Sequence, residues 1–394
     1  MQSNANESGV TMIFYTSICS NYLPKAMALA ESVKQHCPGA RFVLCLVERE
    51  VPSVATTFPA FDEVILAKDA GWENFDSFMF RHSIVEASTA VKPRFMQHLL
   101  ERYQAETKFV YLDPDVLVYS NLSELETLLD QESIVLCPHL LRPGNIDMEI
   151  SSLAHGSYNL GFLAVARSQN ASGFLAWWAE RLFLFCYDDK SRGIFTDQKW
   201  IDLAPCFYDV KVLKHHGYDF ATWSLLGSDL RMVADGYVVN GDPLRFIHFS
   251  GLDSGTIDKA IGWWLTDKNK ETFVALYREY KQLLVKHGQE VLGKTPWSYA
   301  TFVDGRSIGK KTRLAYRERE LWERIPSPFS SSDDEILTTA KSLQPAAEER
   351  VTARPSAGMA GDPSLGILDR IGRSVREVGI GPTVRKAIRK AMGG

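Results

Sequence analysis

Phe109-Val110-Tyr111-Leu112-Asp113-Pro114-Asp115-Val116-Leu117-Val118 is an apolar run interrupted by two acids set two residues apart. Apolar residues on both sides predict a buried strand. A carboxylate left unpaired inside such a strand would be very costly. The cost is avoided if the strand ends at Asp113 and the acids face a polar crevice. In open α/β sheets the crevice beyond the carboxyl ends of the strands is where ligands bind. Alternate residues of an extended segment share a face, so both acids can address one ion. Two hard oxygen donors there suit Mg²⁺ or Mn²⁺ beside a phosphate. The competing reading is a strand followed by a turn, with Asp-Pro-Asp as turn chemistry alone.

Working outward, residues 11–17 predict a first strand, and Pro24 opens a helix to about residue 36. Ala26, Leu29, Ala30 and Val33 lie along one side of it. Strands are predicted at 41–47 and 61–66, and this strand–helix–strand order argues for a parallel sheet. Helical patterns follow at 80–90 and 93–103. Beyond the acid pair come a strand at 134–138, a loop over the site at 141–156 and a strand at 158–166. A Trp- and Phe-rich helix is expected at 171–185, strands at 210–213 and 244–249, and an amphipathic helix at 273–285. Trp177 and Trp178 fall in an apolar helix and read as core, whereas Trp72 and Trp223 are candidates for stacking on a ligand.

The resulting division is a polar N-terminus at 1–10, an α/β domain at 11–255 and a mostly helical extension at 256–325. Residues 326–364 are rich in Pro, Ser, Ala and acids and read as a flexible linker. In 365–394, Ile367, Ile371, Val375 and Val378 recur at helical spacing among Arg370, Arg373, Arg376, Arg385, Lys386, Arg389 and Lys390. Such a basic amphipathic tail suits an anionic membrane surface. Docking on the body or on another subunit, as in a homo-oligomer, is the alternative.

The 394 residues are 45% hydrophobic and 23% charged, an ordinary globular balance. A formal net charge of -4 excludes nucleic-acid binding by bulk charge. The six cysteines are scattered, form no close metal-type pair and read as reduced residues of a cytoplasmic protein. Residues 1–10 lack the basic start and apolar core of a signal peptide. No run reaches the roughly 18 apolar residues of a membrane span.

With its flanking motifs, Leu112-Asp113-Pro114-Asp115 resembles the Asp-x-Asp motif of GT-A-fold glycosyltransferases. The likeness is to the bacterial family 8 type, the lipopolysaccharide galactosyltransferase and glycogenin-like retaining enzymes. Thr16 to Tyr22 resembles the nucleotide-facing first loop, with Thr16, Ser17 and Tyr22 as donor-binding candidates. Ala90-Val91-Lys92-Pro93-Arg94 precedes the metal motif. Tyr158-Asn159-Leu160-Gly161-Phe162 and Thr196-Asp197-Gln198 resemble the two segments beside the donor sugar. His248-Phe249-Ser250-Gly251 resembles the late His-x-x-Gly segment, which supplies a third metal ligand and touches the diphosphate. The likeness spans about residues 11–255. It departs at Lys199, where the family often has another Asp, and at Asp253-Ser254-Gly255, which stands where Lys-Pro-Trp often occurs.

The resemblance implies a Rossmann-like, mostly parallel sheet flanked by helices, and a retaining hexosyl transfer from a nucleotide sugar, UDP-hexose foremost. It implies metal binding by Asp113, Asp115 and His248, with Mn²⁺ favoured over Mg²⁺ because a neutral imidazole suits it better. Lys92 and Arg94 could neutralise the diphosphate, or be a solvated helix start. Gly251 either lets the backbone approach phosphate oxygens or only turns the chain. Asn159 interrupts an apolar run and either meets sugar hydroxyls or a backbone partner. Asp197 either caps a helix or stabilises positive charge at the anomeric carbon, with Gln198 beside it as a second catalytic candidate. The acceptor would be a glycan or lipid-linked saccharide at the cytoplasmic membrane face. Two other classes compete. A haloacid-dehalogenase-type phosphatase also carries Asp-x-Asp after an apolar strand, with Asp188-Asp189 as its later acidic loop. A noncatalytic binding protein on the transferase fold is the other.

Overall fold

Most of the apolar runs that read as strands assemble into one sheet in the computed structural model, which describes residues 12–343. The strands are β1 (Ile13–Ile18), β2 (Arg41–Leu46), β3 (Glu63–Leu66), β4 (Lys108–Leu112), β5 (Val116–Val118), β6 (Ile134–Pro138) and β7 (Tyr158–Ala166). They continue with β8 (Asp188–Asp189), β9 (Ile194–Phe195), β10 (Lys211–Val212), β11 (Leu230–Val233), β12 (Gly236–Val239), β13 (Asp242–Pro243) and β14 (Phe246–His248). Seven of them form the central sheet in the order β10-β6-β7-β4-β1-β2-β3. Its pairings are parallel except at β7, which runs antiparallel to both β4 and β6.

The strands are buried because helices cover the sheet. Every residue of β1 is buried, and β2 is buried from Phe42 to Leu46. Each large aliphatic or aromatic side chain buried this way contributes roughly 1.5–3 kcal/mol relative to exposure. Pro24 sits in the first turn of the helix Leu23–His36, where its missing N–H costs no hydrogen bond.

Three expectations need correction. The helical pattern at 80–90 is two helices, Phe75–Phe80 and Ile84–Ala90. The second starts afresh at Ser83, which forms a reciprocal capping box with Glu86. The span 141–156 contains the helix Ile146–His155, capped by the Asn145 side chain. It has no buried residue, and its apolar Ile146, Ile150 and Leu153, though at helical spacing, face outward. Residues 326–343, assigned by composition to a linker, carry the turn Pro328–Ser330 and the helix Asp333–Leu343, with Phe329 and Ile336 buried. The predicted features at 1–11 and 344–394, including the basic tail, lie outside the described residues.

The extension is helical, with Thr256–Trp264, Lys270–Lys286, Lys310–Ala315 and Arg319–Arg324 among its helices. Arg313 donates to the carbonyls of Phe80 and His82, and Arg317 pairs with Glu86 at 2.7 Å. Buried Glu48 accepts from the backbone N–H of Ser20 in the first loop and of Ser298 in the extension, each at 2.8 Å. The extension therefore braces the loop at the carboxyl end of β1.

Candidate active site

β4 ends at Leu112, and Asp113 is the first residue beyond it. The N–H of Asp113 still bonds Gly161 O on β7 at 2.8 Å, and Val116 N closes the turn on Asp113 O at 3.0 Å. After the turn, β5 pairs antiparallel with β14 in a register that sets His248 opposite Val116. Phe249 N also bonds Asp115 O at 2.8 Å. Two segments more than a hundred residues apart in sequence thus meet through one short ladder. His248 Nε2 lies 3.1 Å from Asp115 Oδ1 and 3.8 Å from Asp113 Oδ2. One ligand atom from each of the three residues falls within 4.8 Å of the others.

Gly161 makes this approach possible. A Cβ built there would sit 2.4 Å from His248 Cε1 and 2.6 Å from Asn159 Oδ1. The glycine is needed for space, beside the ring and not in a turn.

A hydrogen-bond chain assigns the orientation of the imidazole. His139 Nδ1 donates to Gly156 O at 2.9 Å, so its Nε2 accepts from Asn159 Nδ2 at 3.1 Å. That orientation turns Asn159 Oδ1 toward Gly161 N at 2.8 Å and His248 Nδ1 at 3.2 Å. His248 therefore donates from Nδ1 and presents Nε2 to the acids. Burial pushes His139 down to about 4, which keeps it neutral in this role. Burial raises Asp115, but the charge and hydrogen bond of His248 outweigh it and hold the carboxyl at about 2. Burial would lower His248, yet Asp115 and then Asp219 raise it well above the usual range. Two carboxylates and one imidazole nitrogen converging on one point are a donor set suited to Mn²⁺. The residues present fit such an ion.

Lys92 is buried between two carboxylates. Its Nζ lies 2.9 Å from Asp197 Oδ2, 3.2 Å from Asp113 Oδ1 and 2.9 Å from Leu160 O. Burial alone would lower the ammonium, but Asp113 and Asp197 raise it. Its three donors already face acceptors, so it is not the free phosphate clamp the sequence suggested. Asp197 is raised by burial, an effect reduced by Lys92. Gln198 braces the backbone: Oε1 accepts from Leu160 N at 3.0 Å and Nε2 donates to His155 O at 3.1 Å. The amide oxygen of Asn159 is likewise engaged locally, which makes it a holder of His248 before anything else.

Two cavities meet at Asp113 and His248. The smaller, about 180 Å³, is lined by Ser17, Asn21, Tyr22, Ser88, Asp115 and Ser250 among others. The larger, about 580 Å³, includes Lys92, Asn159, Asp197, Trp223, Trp263 and Trp264 in its wall. Of the other sequence candidates, Ser17 and Tyr22 reach the small cavity. Thr16 does not, since it is fully buried within β1. Arg94 lies away from both, beside Gly71, Gln97 and Glu101, because it follows Lys92 by half a helical turn and faces outward. Gly251 has φ +84° and its carbonyl accepts from Ile257 N at 3.2 Å, so it turns the chain into the helix Thr256–Trp264 while Ser250 faces the cavities. Trp178 is core as expected, and Trp72 packs on Phe75 and Phe78.

Sequence reasoning missed His139, Lys25 and Asp219. Lys25, on the first helix, is buried over the Tyr22 ring and pairs with Asp253 at 2.5 Å. Asp253 is thus the partner of a buried cation, where the family often has Lys-Pro-Trp. Asp219 approaches His248 Nδ1. Its one sequence signal is an acid set between Tyr218 and Phe220 in a stretch that reads as turn-rich. Asp188 and Asp189 line a different cavity, and Asp189 pairs with Arg192 at 2.6 Å, so they do not complete a phosphatase site around Asp113.

No protein-family model matches the chain. An uncharacterised protein of Bacillus subtilis, YfnD, is 22% identical over 309 residues, covering 75% of this chain and 94% of its own length. Among solved structures, the galactosyltransferase LgtC, in complex with donor and acceptor sugar analogues, is similar with a TM-score of 0.40 at 15% identity. That match covers 70% of this chain and 95% of LgtC. A glycosyltransferase involved in glycosylation of the major capsid of PBCV-1 matches with a TM-score of 0.36 at 10% identity over 63% of this chain and 98% of its own. Mouse xyloside xylosyltransferase 1 matches with a TM-score of 0.35 at 12% identity over 61% and 97%. These three structural overlaps are loose, and each of the three solved structures is of a glycosyltransferase.

Proposed function

We propose that this chain transfers a hexosyl unit from a nucleotide sugar, with UDP-hexose as the favoured donor, to a hydroxyl of a saccharide acceptor. The observation that carries this reading is the junction: Asp113, Asp115 and His248 meet where a small polar-ended cavity opens into a larger aromatic one. In this reading the small cavity would take the nucleoside against Tyr22, with the diphosphate at the acid pair and the sugar toward Asp197. Asp113, Asp115 and His248 would hold Mn²⁺ or Mg²⁺, which when bound supplies Lewis-acid stabilisation of the departing diphosphate.

The protein's own groups do the rest. Lys92 holds Asp113 and Asp197 in fixed relation, so the diphosphate end and the sugar end of the donor are positioned together. The Asp197 carboxylate faces the cavity where positive charge develops at the anomeric carbon, in a low-dielectric wall that strengthens its effect. Retention of configuration is the stereochemical outcome that the family resemblance favours. A lipid-linked saccharide at the inner membrane face suits both the basic C-terminal sequence and the exposed Ile146, Ile150 and Leu153 beside the large cavity. Among the described residues no helix is long and apolar enough to cross a membrane.

A panel of nucleotide sugars tested for product-nucleotide release with Mn²⁺, Mg²⁺ or chelator checks the proposal. One donor should be turned over with metal and not with chelator. Absence of release across the panel, with no donor bound in calorimetry, overturns it.

A further inference from the structure

Asp219 carries two costs that the fold does not explain. It is 2% exposed, yet neither carboxylate oxygen makes a well-formed hydrogen bond. It also has φ +51°, in the left-handed region that a non-glycine residue enters with strain. A buried carboxylate without donors is destabilising, and such a group calls for an explanation in function.

Its neighbourhood supplies one. The segment around Asp219 is clamped to β14: Phe220 N bonds Phe246 O at 3.2 Å, and His248 N bonds Phe220 O at 2.8 Å. The clamp brings Asp219 Oδ1 to 3.4 Å from His248 Nδ1, the ring edge opposite the acid pair. Asn159 Oδ1 faces the same nitrogen at 3.2 Å but already accepts from Gly161 N. A charged acceptor forms the stronger bond to an imidazole N–H. Trp223 closes the remaining side, its ring edge-on to His248 at 5.5 Å.

We propose that Asp219 is the positioning residue of the metal centre: its carboxylate, with Asn159, holds the Nδ1 edge of His248 so that Nε2 stays aimed at Asp113 and Asp115. This rests on the metal reading of the site. Acidic partners behind a ligating imidazole fix its orientation and raise its basicity, and losing one typically weakens metal binding 10- to 100-fold. The left-handed backbone at Asp219 is then the conformation that presents the carboxylate to the ring.

The test is calorimetric titration of the full chain with Mn²⁺ alone, comparing wild type, Asp219→Ala and Asp219→Asn. Crystal structures of the metal-free variants accompany it. Asp219→Ala should weaken Mn²⁺ binding about 10- to 100-fold. Asp219→Asn, which keeps the shape and an acceptor oxygen, should recover part of the loss. In the alanine variant the His248 ring should leave its 3.1 Å contact with Asp115. Unchanged Mn²⁺ affinity in both variants overturns the proposal. So does weakened affinity with an unmoved ring, since the effect would then be charge alone. Failure of the wild type to bind Mn²⁺ overturns the metal reading instead, and ring position then decides whether Asp219 orients His248. If the alanine variant does not fold, the asparagine variant carries both measurements.

Discussion

The two cavities that meet at Asp113 are built in different ways. The small one is made by the ends of regular elements: the carboxyl end of β1, the start of the first helix and the turn after β4. The large one is walled by two short helices, Ile146–His155 and Thr256–Trp264, and by aromatic side chains, of which Trp263 is exposed. Strand ends are fixed by the sheet's own hydrogen bonds, so the small cavity is a rigid part of the fold. The large cavity depends on helices with few or no buried residues, which the core constrains weakly. The difference suggests a division of labour: a fixed nucleotide end common to the chemistry, and an adaptable end that selects the acceptor.

The strongest way to break this comparison lies at the junction. Asp115→Asn removes a carboxylate that touches His248 and lines the small cavity. Turnover should fall on the order of a hundred- to a thousand-fold, the loss seen when one electrostatic stabiliser is removed. Circular dichroism should show an unchanged fold. Full turnover by this variant in chelator would end the metal-phosphate role.

A matched pair then sharpens the contrast between the two sides. Asp197→Asn should lower saturated turnover about a hundred-fold while leaving nucleoside-diphosphate affinity nearly unchanged, because its contact strengthens in the transition state. Tyr22→Ala should do the reverse, weakening nucleoside-diphosphate binding several-fold at little cost to saturated turnover. Calorimetry and steady-state kinetics separate the two. Equal effects on both parameters in both variants would mean the cavities are one site without a division.

The same contrast explains what could be read from sequence. The central sheet, the helix opened by Pro24 and the acid pair follow from apolar runs and from two acids where a strand must end. His248 was accessible only through the family resemblance and the Ser250-Gly251 that follows it, since a lone histidine after an apolar strand reads as core. The helix Ile146–His155 reads as a loop in sequence although Ile146, Ile150 and Leu153 recur at helical spacing; that short stripe faces outward, and side chains between its members line the cavity. Periodicity shows that a helix can form, not which surface its apolar stripe faces. Asp219 and Lys25 were hidden for a related reason. Their partners, His248 and Asp253, are remote in sequence, and a charged residue announces burial only through its partner. Gln198 and Asn159 line the large cavity, but their engagement by backbone and histidine neighbours depends on side-chain direction that spacing does not encode.

Acid should probe the large-cavity side through His139. Its imidazole is held down to about 4 by burial, against about 6.5 in the unfolded chain. Between those values the unfolded state binds the extra proton, so stability falls as pH drops from about 6.5 toward 4. Above that window the group contributes no pH dependence. His139→Gln keeps a side chain able to bridge Gly156 and Asn159 but cannot titrate. Its melting temperature should decline less than the wild type's across the window. Parallel decline in both proteins would show that His139 is not the acid-sensitive group.

The smallest effect is expected at the outer edge of the large cavity, where Trp263 is 70% exposed on the last turn of Thr256–Trp264. A tryptophan left largely in water gains from being covered, and an indole face suits the apolar face of a sugar ring or a lipid-proximal part of an acceptor. Its neighbour Trp264 stands nearly perpendicular at 6.4 Å, so the two rings offer different faces and removal of one leaves the other in place. Stacking of this kind is worth about 0.5–1.5 kcal/mol, or roughly a 2- to 12-fold change. Trp263→Ala should therefore raise the acceptor KM by that factor while leaving metal-dependent hydrolysis of the donor, measured without acceptor, at the wild-type rate. Exposure makes the substitution harmless to folding, so a fall in donor hydrolysis would have a single meaning. It would show that the helix Thr256–Trp264 shapes the donor end as well, and that the adaptable wall is not confined to the acceptor.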